Sequence, residues 1–150
     1  MRPITEFKGE YHFLSNFYPW PIEFQGKMFP TLEHAYQAAK FTAWPEVVQE
    51  ILDCPTPGLT KYLAHKHRAK VPPCWFDYVR ELVMFSLLMQ KFDKESALYD
   101  RLCATGPFTE LIEGNTWNDT FWGVCNGEGD NVLGRMLMTI RDNQRPQWGV

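Results

Sequence analysis

The sequence is short of several things, and each shortage closes a class of function. Its four cysteines, Cys54, Cys74, Cys103 and Cys125, are scattered and form no Cys-x-x-Cys pair. With no secretory signal in view, they are expected to be reduced thiols in a cytoplasmic setting. No apolar run approaches the length of a membrane span, so no membrane contact is expected. Positive charge is not in excess: 15 Lys and Arg face 18 Asp and Glu, for a formal net charge of −3. No global basic field therefore draws the chain to nucleic acid or a lipid surface. Internal repeats and low-complexity stretches are absent. At 150 residues the chain is expected to be a single domain, long enough to bury a core without disulfide or metal staples.

Aromatic residues are what the chain has in quantity, at 15% with six tryptophans. Large aromatics fill cores, and they also give flat faces on which planar ligands stack. The hydrophobic fraction of 45% and charged fraction of 22% are those of an ordinary globular protein.

The most informative stretch is Thr31-Leu-Glu-His-Ala-Tyr-Gln-Ala-Ala-Lys-Phe41. It reads as a helix opening after Pro30, with Thr31 as N-cap and Glu33 in the first turn, where the helix dipole favours a carboxylate. On a 3.6-residue period, Leu32, Ala35 and Ala39 share one flank. Glu33, Gln37 and Lys40 form a narrow stripe on another, with Tyr36 beside it. Spacing alone leaves two readings open, a solvated helix face or an acid, an amide and an amine aligned for chemistry.

Before this helix, Glu10 to Tyr18 is aromatic-rich and expected to be extended, with a bent loop at Ser15-Asn16 and a stop at Pro19-Trp20-Pro21. Ile22 to Phe29 alternates around Gln25-Gly26 and predicts a tight hairpin. Pro45 predicts a second helix to about Leu52, and Leu59 to about Lys70 a basic third. Trp75 to Phe92 predicts a fourth, with Val79, Val83 and Leu87 at core spacing. Asp93 is the expected cap of a fifth, running to about Ala104. Phe108–Ile112 and Asp119–Val124 read as short strands, Asn131 to about Arg141 as a last helix, and 142–150 as a tail. The fold class is α+β, mostly helical, with a small aromatic sheet.

Several patterns invite function. His65-x-His67 would point apart on a helix and matches no metal-ligand spacing, so no metal site is expected. The Lys61–Lys70 run reads as a solvated amphipathic face or as phosphate contacts. Gly127-x-Gly129-x-Asn131-x-x-Gly134 follows a strand and opens a helix, so it offers either capping turns or a cradle for an anion, with Arg135 as a bidentate partner. Asp119-x-x-Trp122-Gly123 sets a carboxylate and an indole three positions apart, to cap a turn and fill a core, or to share a pocket. No Ser/His/Asp or Cys/His nucleophile arrangement occurs. Any chemistry rests on Glu33, Asp119 and Lys40.

Taken together, the ordered blocks carry a resemblance. They are Phe13-Leu-Ser-Asn-Phe-Tyr-Pro19; Glu33-His-Ala-Tyr-Gln-Ala-Ala-Lys-Phe41; Trp75 with Met84 and Lys91-Phe92; Asp119-x-x-Trp122-Gly123; and Gly129-x-Asn131-x-Leu133-Gly-Arg-x-Leu-Met138. From about residue 7 to 141 the chain resembles the YbiA-like, or NADAR, family of N-glycosidases. The resemblance implies cleavage of a C1′–N bond in a nucleotide-like substrate, with no cofactor. That substrate is a phosphoribosylamino-pyrimidine of riboflavin biosynthesis or an ADP-ribosyl adduct of guanine, including ADP-ribosylated nucleic acid. It places the family's acid on Glu33, its helix tryptophan on Trp75, its Asp–Trp pair on Asp119 and Trp122, and its lysine on Lys40. Asn16, Asn131 and Arg135 are candidates for sugar or phosphate contacts. Two features depart from the family pattern: Cys74-Trp-Phe-Asp77 opens the fourth helix with one residue more than usual before Arg80, and the Gly123–Gly129 segment is short. A catalytically idle nucleotide-binding module is the alternative reading.

Overall fold

The computed structural model describes residues 2–143, so most of the expected tail, from residue 144 on, lies outside the described residues. The chain divides into two compact units, Asn16–Lys91 and a second made of the segments up to Ser15 and from Phe92.

In the Asn16–Lys91 unit, the alternating stretch forms the expected hairpin of β1 (Pro19–Phe24) and β2 (Lys27–Thr31), antiparallel with Ile22 opposite Phe29. Gln25 and Gly26 both take positive φ, which a two-residue turn of matching twist requires. Pro19-Trp20-Pro21 does not stop the strand but opens it. The register slips between Pro19 and Ile22, because proline has no N–H to give a ladder.

Helix α1 (Leu32–Ala38) comes directly after β2, and Thr31 caps it by accepting the His34 N–H. A 3-10 turn (Ala39–Phe41) continues it through Lys40. Around α1 pack both strands, α2 (Pro45–Leu52), α3 (Pro57–Lys66) and α4 (Arg80–Lys91). Every residue of α1 is buried as a result, polar ones included. The solvated-face reading of its stripe is thereby overturned for Glu33 and Gln37. His34 shows how a polar residue is accommodated there. Its Nε2–H donates to the Cys54 carbonyl at 2.9 Å, and its Nδ1 pairs with the Thr31 hydroxyl at 2.8 Å. A carbonyl only accepts, so Nε2 carries the hydrogen of the first bond.

The fourth predicted helix is two structures. Trp75–Val79 forms a π turn, in which the Arg80 N–H reaches back five residues to the Trp75 carbonyl, and α4 continues from it. A π turn is how a helix takes up one extra residue, which accounts for the lengthened Trp75–Arg80 spacing.

In the second unit, Gly9–Leu14 is a 3-10 turn rather than the expected extended segment. It buries Phe13 and Leu14 side by side, and Arg101 fixes it by lying over the Phe13 ring and donating to the Glu10 carbonyl. Helix α5 (Ala97–Ala104) is capped by Ser96, not Asp93, whose carboxylate accepts the Glu95 N–H in a turn of its own. The two expected strands shrink to an isolated Ile4–Leu111 bridge and a parallel pair, β3 (Gly114–Asn115) with β4 (Val124–Cys125). The reason lies in Asp119. Its Oδ1 accepts the N–H groups of Phe121 and Trp122, so neither is left for a ladder. Helix α6 (Val132–Asn143) closes the unit. Its buried Arg141 donates to the carbonyls of Thr109 and Pro107 and to the Thr105 hydroxyl, tying α6 to the loop after α5. Among the described residues no helix is long and apolar enough to cross a membrane.

Candidate active site

Glu33 is 5% exposed and Gln37 4% exposed, one turn apart on the buried side of α1. The Gln37 Nε2–H donates to Glu33 Oε1 at 2.8 Å. The Glu33 backbone N–H donates to the Asn16 carbonyl at 3.1 Å, which brings Asn16 to the helix N-terminus. Asn16 is buried too, its Nδ2 donating to the Met84 sulfur at 3.5 Å. A carboxylate at the N-terminal turn of a helix is further favoured by the dipole.

Lys40 lies over the Tyr36 ring, 5.4 Å from its centroid. Burial pushes its ammonium pKa below the usual lysine value, the Glu33 carboxylate opposes that, and Lys61 and Arg80 add to the lowering. Three cations and one acid therefore act on one another at this end of the unit, with Lys61 also over the Phe17 ring at 5.6 Å. Arg80 was not among the residues the sequence singled out. Its place depends on the π turn, which sequence periodicity does not reveal.

Trp75 is 1% exposed, and its ring meets Tyr36 at 5.4 Å. It offers no open face to a base, and its visible work is to back the Tyr36–Lys40 pair. In this structure the ring that the resemblance assigns to substrate is enclosed against Tyr36.

Asp119, Trp122, Asn131 and Arg135 belong to the second unit. Asp119 is a turn cap, as described, and Trp122 packs edge-on against Phe121 at 4.8 Å. The Asn131 side chain accepts from the Glu113 N–H and donates to the Leu111 carbonyl, so both ends of its amide hold backbone. Arg135 Nε donates to the Asp130 carbonyl, leaving the rest of its guanidinium at the surface. Of the two readings of Gly127–Gly134, the structure favours the turn over the anion cradle. The N–H groups of Asp130, Asn131, Val132 and Leu133 already donate to the carbonyls of Thr120, Gly123, Phe121 and Trp122. The glycines serve packing instead: a Cβ on Gly129, whose φ is +147°, would overlap the Gly123 carbonyl, and one on Gly134 the Leu111 carbonyl. Among the described residues, no group of three or more His, Cys, Asp or Glu is placed to hold a metal.

The family model of the NADAR domain matches residues 5–145. The chain belongs to the NADAR family. Among relatives, it is 37% identical over 134 residues to N-glycosidase YbiA of Shigella boydii serotype 4, covering 89% of this chain and 81% of that one. It is 36% identical, with the same coverage, to N-glycosidase YbiA of Escherichia coli K12. It is also 36% identical over 131 residues to Riboflavin biosynthesis protein VVA0006 of Vibrio vulnificus, covering 87% of this chain and 35% of that longer one. The NMR structure of E. coli YbiA superposes with a TM-score of 0.79 at 33% identity, covering 95% of this chain and 83% of that one. The NADAR fold of this chain is thus α+β and mostly helical, with two small two-stranded sheets.

Proposed function

We propose that this NADAR chain hydrolyses the C1′–N bond joining a ribosyl phosphate, or the ribose of an ADP-ribosyl group, to a planar base. The observation that carries the reading is the buried Glu33 carboxylate, held by Gln37 on the same helix as a lysine of depressed pKa. Relatives named N-glycosidases, which are hydrolases of N-glycosyl bonds, support the reaction class.

As the C1′–N bond breaks, its electron pair leaves with the base and positive charge gathers on the sugar. Glu33 stabilises that oxocarbenium-like charge and takes a proton from the water that adds to C1′; a proton goes to the departing base. Lys40, with Lys61 and Arg80, holds the phosphate: a dianion relieves the mutual repulsion of the three cations. A second role for Lys40, favoured by its lowered pKa, is imine formation with a ring-opened sugar, since the neutral amine is the nucleophile.

The test is product release from a phosphoribosylamino-pyrimidine and from ADP-ribosylated guanosine or DNA, monitored by mass spectrometry. Free ribose phosphate from the first supports metabolite clearance, and free ADP-ribose from the second supports removal of a modification. Binding without product from either substrate would replace the enzyme with a nucleotide-binding module. Borohydride trapping of a sugar adduct on Lys40 would establish the imine route, and its absence during turnover would leave the phosphate contact.

A further inference from the structure

Two buried oxygens beside Glu33 have no partner. The Gln37 Oε1 and the Asn16 Oδ1 are both enclosed without a hydrogen bond, in side chains 4% and 8% exposed. Protein interiors seldom tolerate this, because a carbonyl withdrawn from water and left unmet keeps its whole desolvation penalty. Two such oxygens, one in the amide that holds Glu33 and one in the residue whose backbone carbonyl accepts the Glu33 N–H, mark a place made to receive donors from outside the chain.

Neither oxygen can be removed by turning its amide over. Gln37 must point its NH2 at Glu33, since a carboxylate only accepts. Turning Asn16 would set its oxygen against the Met84 sulfur, an acceptor against an acceptor. The orientations are imposed, and both carbonyls are left presenting lone pairs. The Glu33 carboxylate has the Gln37 NH2 as donor, and the two amide oxygens have none. Whatever satisfies both oxygens must bring hydrogen-bond donors, one for each.

We propose that Gln37 and Asn16 read the 2′,3′-diol of the ribose, and that this pair makes the site select ribosyl over 2′-deoxyribosyl ligands. The inference rests on the glycosidase reading in one respect, that Glu33 faces C1′. Amide nitrogen and oxygen share one carbon, so Gln37 Oε1 lies one amide width from the nitrogen that donates to the carboxylate. The C2′ hydroxyl lies one carbon from C1′, on the same small scale. A sugar hydroxyl donates through a rotating O–H and so adapts to an acceptor of fixed direction. The exocyclic amine of the base is the rival source of donors. Gln37 is thus a positioning residue twice over: its NH2 orients Glu33, and its carbonyl orients the sugar whose bond is cut.

The experiment measures binding, so that it does not depend on turnover. Ribose 5-phosphate and 2-deoxyribose 5-phosphate are titrated by calorimetry into the full chain, wild type, Gln37→Met and Asn16→Leu. Both substitutions keep length and approximate shape and remove the acceptor, Gln37→Met together with the NH2 that holds Glu33. The wild type should prefer the ribose compound by about 10-fold or more, because a site built to bond a hydroxyl rejects the analogue lacking it. Each variant should bring the two ligands to within about 2-fold, chiefly by weakening the ribose compound. Thermal unfolding of Asn16→Leu should not fall, since an unmet buried carbonyl is being replaced by an apolar group. Equal wild-type affinity for both sugars overturns the proposal. So does a variant that weakens both ligands alike while its Tm drops, which is what a purely structural amide would do. Failure of the glycosidase reading would look different: ribose selectivity would persist in a protein that releases no product. If selectivity instead tracks the exocyclic amine, tested with substrates whose base lacks it, the base and not the sugar is what these oxygens read, and the proposal is overturned.

Discussion

Gln37 donates to Glu33 from one turn further along the same helix, so the acid is oriented by its own backbone scaffold rather than by a partner elsewhere in the chain. That local hold survives conversion of the acid to its amide, because a glutamine carbonyl at position 33 still accepts from the Gln37 NH2.

Glu33→Gln is therefore expected to fold as the wild type does and to lose activity. The loss should be about 100- to 10,000-fold in kcat, the range for removing a proton-transfer or charge-stabilising group. Mass spectrometry of released base and sugar, beside a thermal melt, makes the measurement. Near-normal rates would remove Glu33 from the chemistry.

Lys40 sets a pH dependence whose sign is fixed. The unfolded chain carries this lysine near 10.5, and burial lowers it in the folded protein, with Glu33 opposing and Lys61 and Arg80 assisting. Between the two values the unfolded state binds the extra proton, so this group makes stability rise with pH across that window. Below the folded value the cost of the enclosed charge is constant. Lys40→Met should raise Tm at neutral pH and flatten the alkaline rise. A rise unchanged by the substitution would trace it to another group.

His34→Phe should be among the more damaging changes in α1. It keeps a ring but strips the Cys54 carbonyl of its partner in a buried place and leaves the Thr31 hydroxyl only the backbone N–H of residue 34. A loss of about 1–3 kcal/mol is expected, combining the unmet carbonyl with imperfect packing. Urea denaturation reads it directly, and a loss below about 0.5 kcal/mol would mean that water reaches the carbonyl.

Gly134→Ala tests the close approach of α6 to the Leu111 carbonyl. The methyl group has no room beside that backbone oxygen. Alanine ordinarily stabilises a helix by about 1 kcal/mol over glycine, yet here the melt should show a net loss, of about 2 kcal/mol or more. A gain in Tm would mean that the helix slides to admit it.

Much of this was legible in the sequence because local chemistry dictates it. Gln25-Gly26 between alternating residues, Thr31 ahead of Glu33, and Pro45 as a helix start each carry their structural reason within a few residues. Failures came where distant groups decide. Asp119 withdrew two N–H groups from an expected strand, and Arg101 pinned Gly9–Leu14 into a turn. At the candidate site, the stripe of Glu33, Gln37 and Lys40 was visible from spacing. Its burial was not, because that depends on the strands and helices that enclose α1. Nor was the enclosure of the Trp75 ring against Tyr36, which depends on how α4 meets α1.

The π turn at Trp75–Val79 marks the place where the chain can change length without disturbing the rest of the helix. With Arg80 reaching back five residues, removing one residue inside the turn lets the Trp75 carbonyl meet a donor four residues on, and α4 keeps its phase. The same deletion within Arg80–Lys91 would rotate everything after it by about 100° and turn Met84 or Leu88 out of the core. Length variation among homologous chains is thus tolerable at this turn and nowhere else along the helix, so that a single-residue insertion there is drift that the fold absorbs rather than a change of catalytic design.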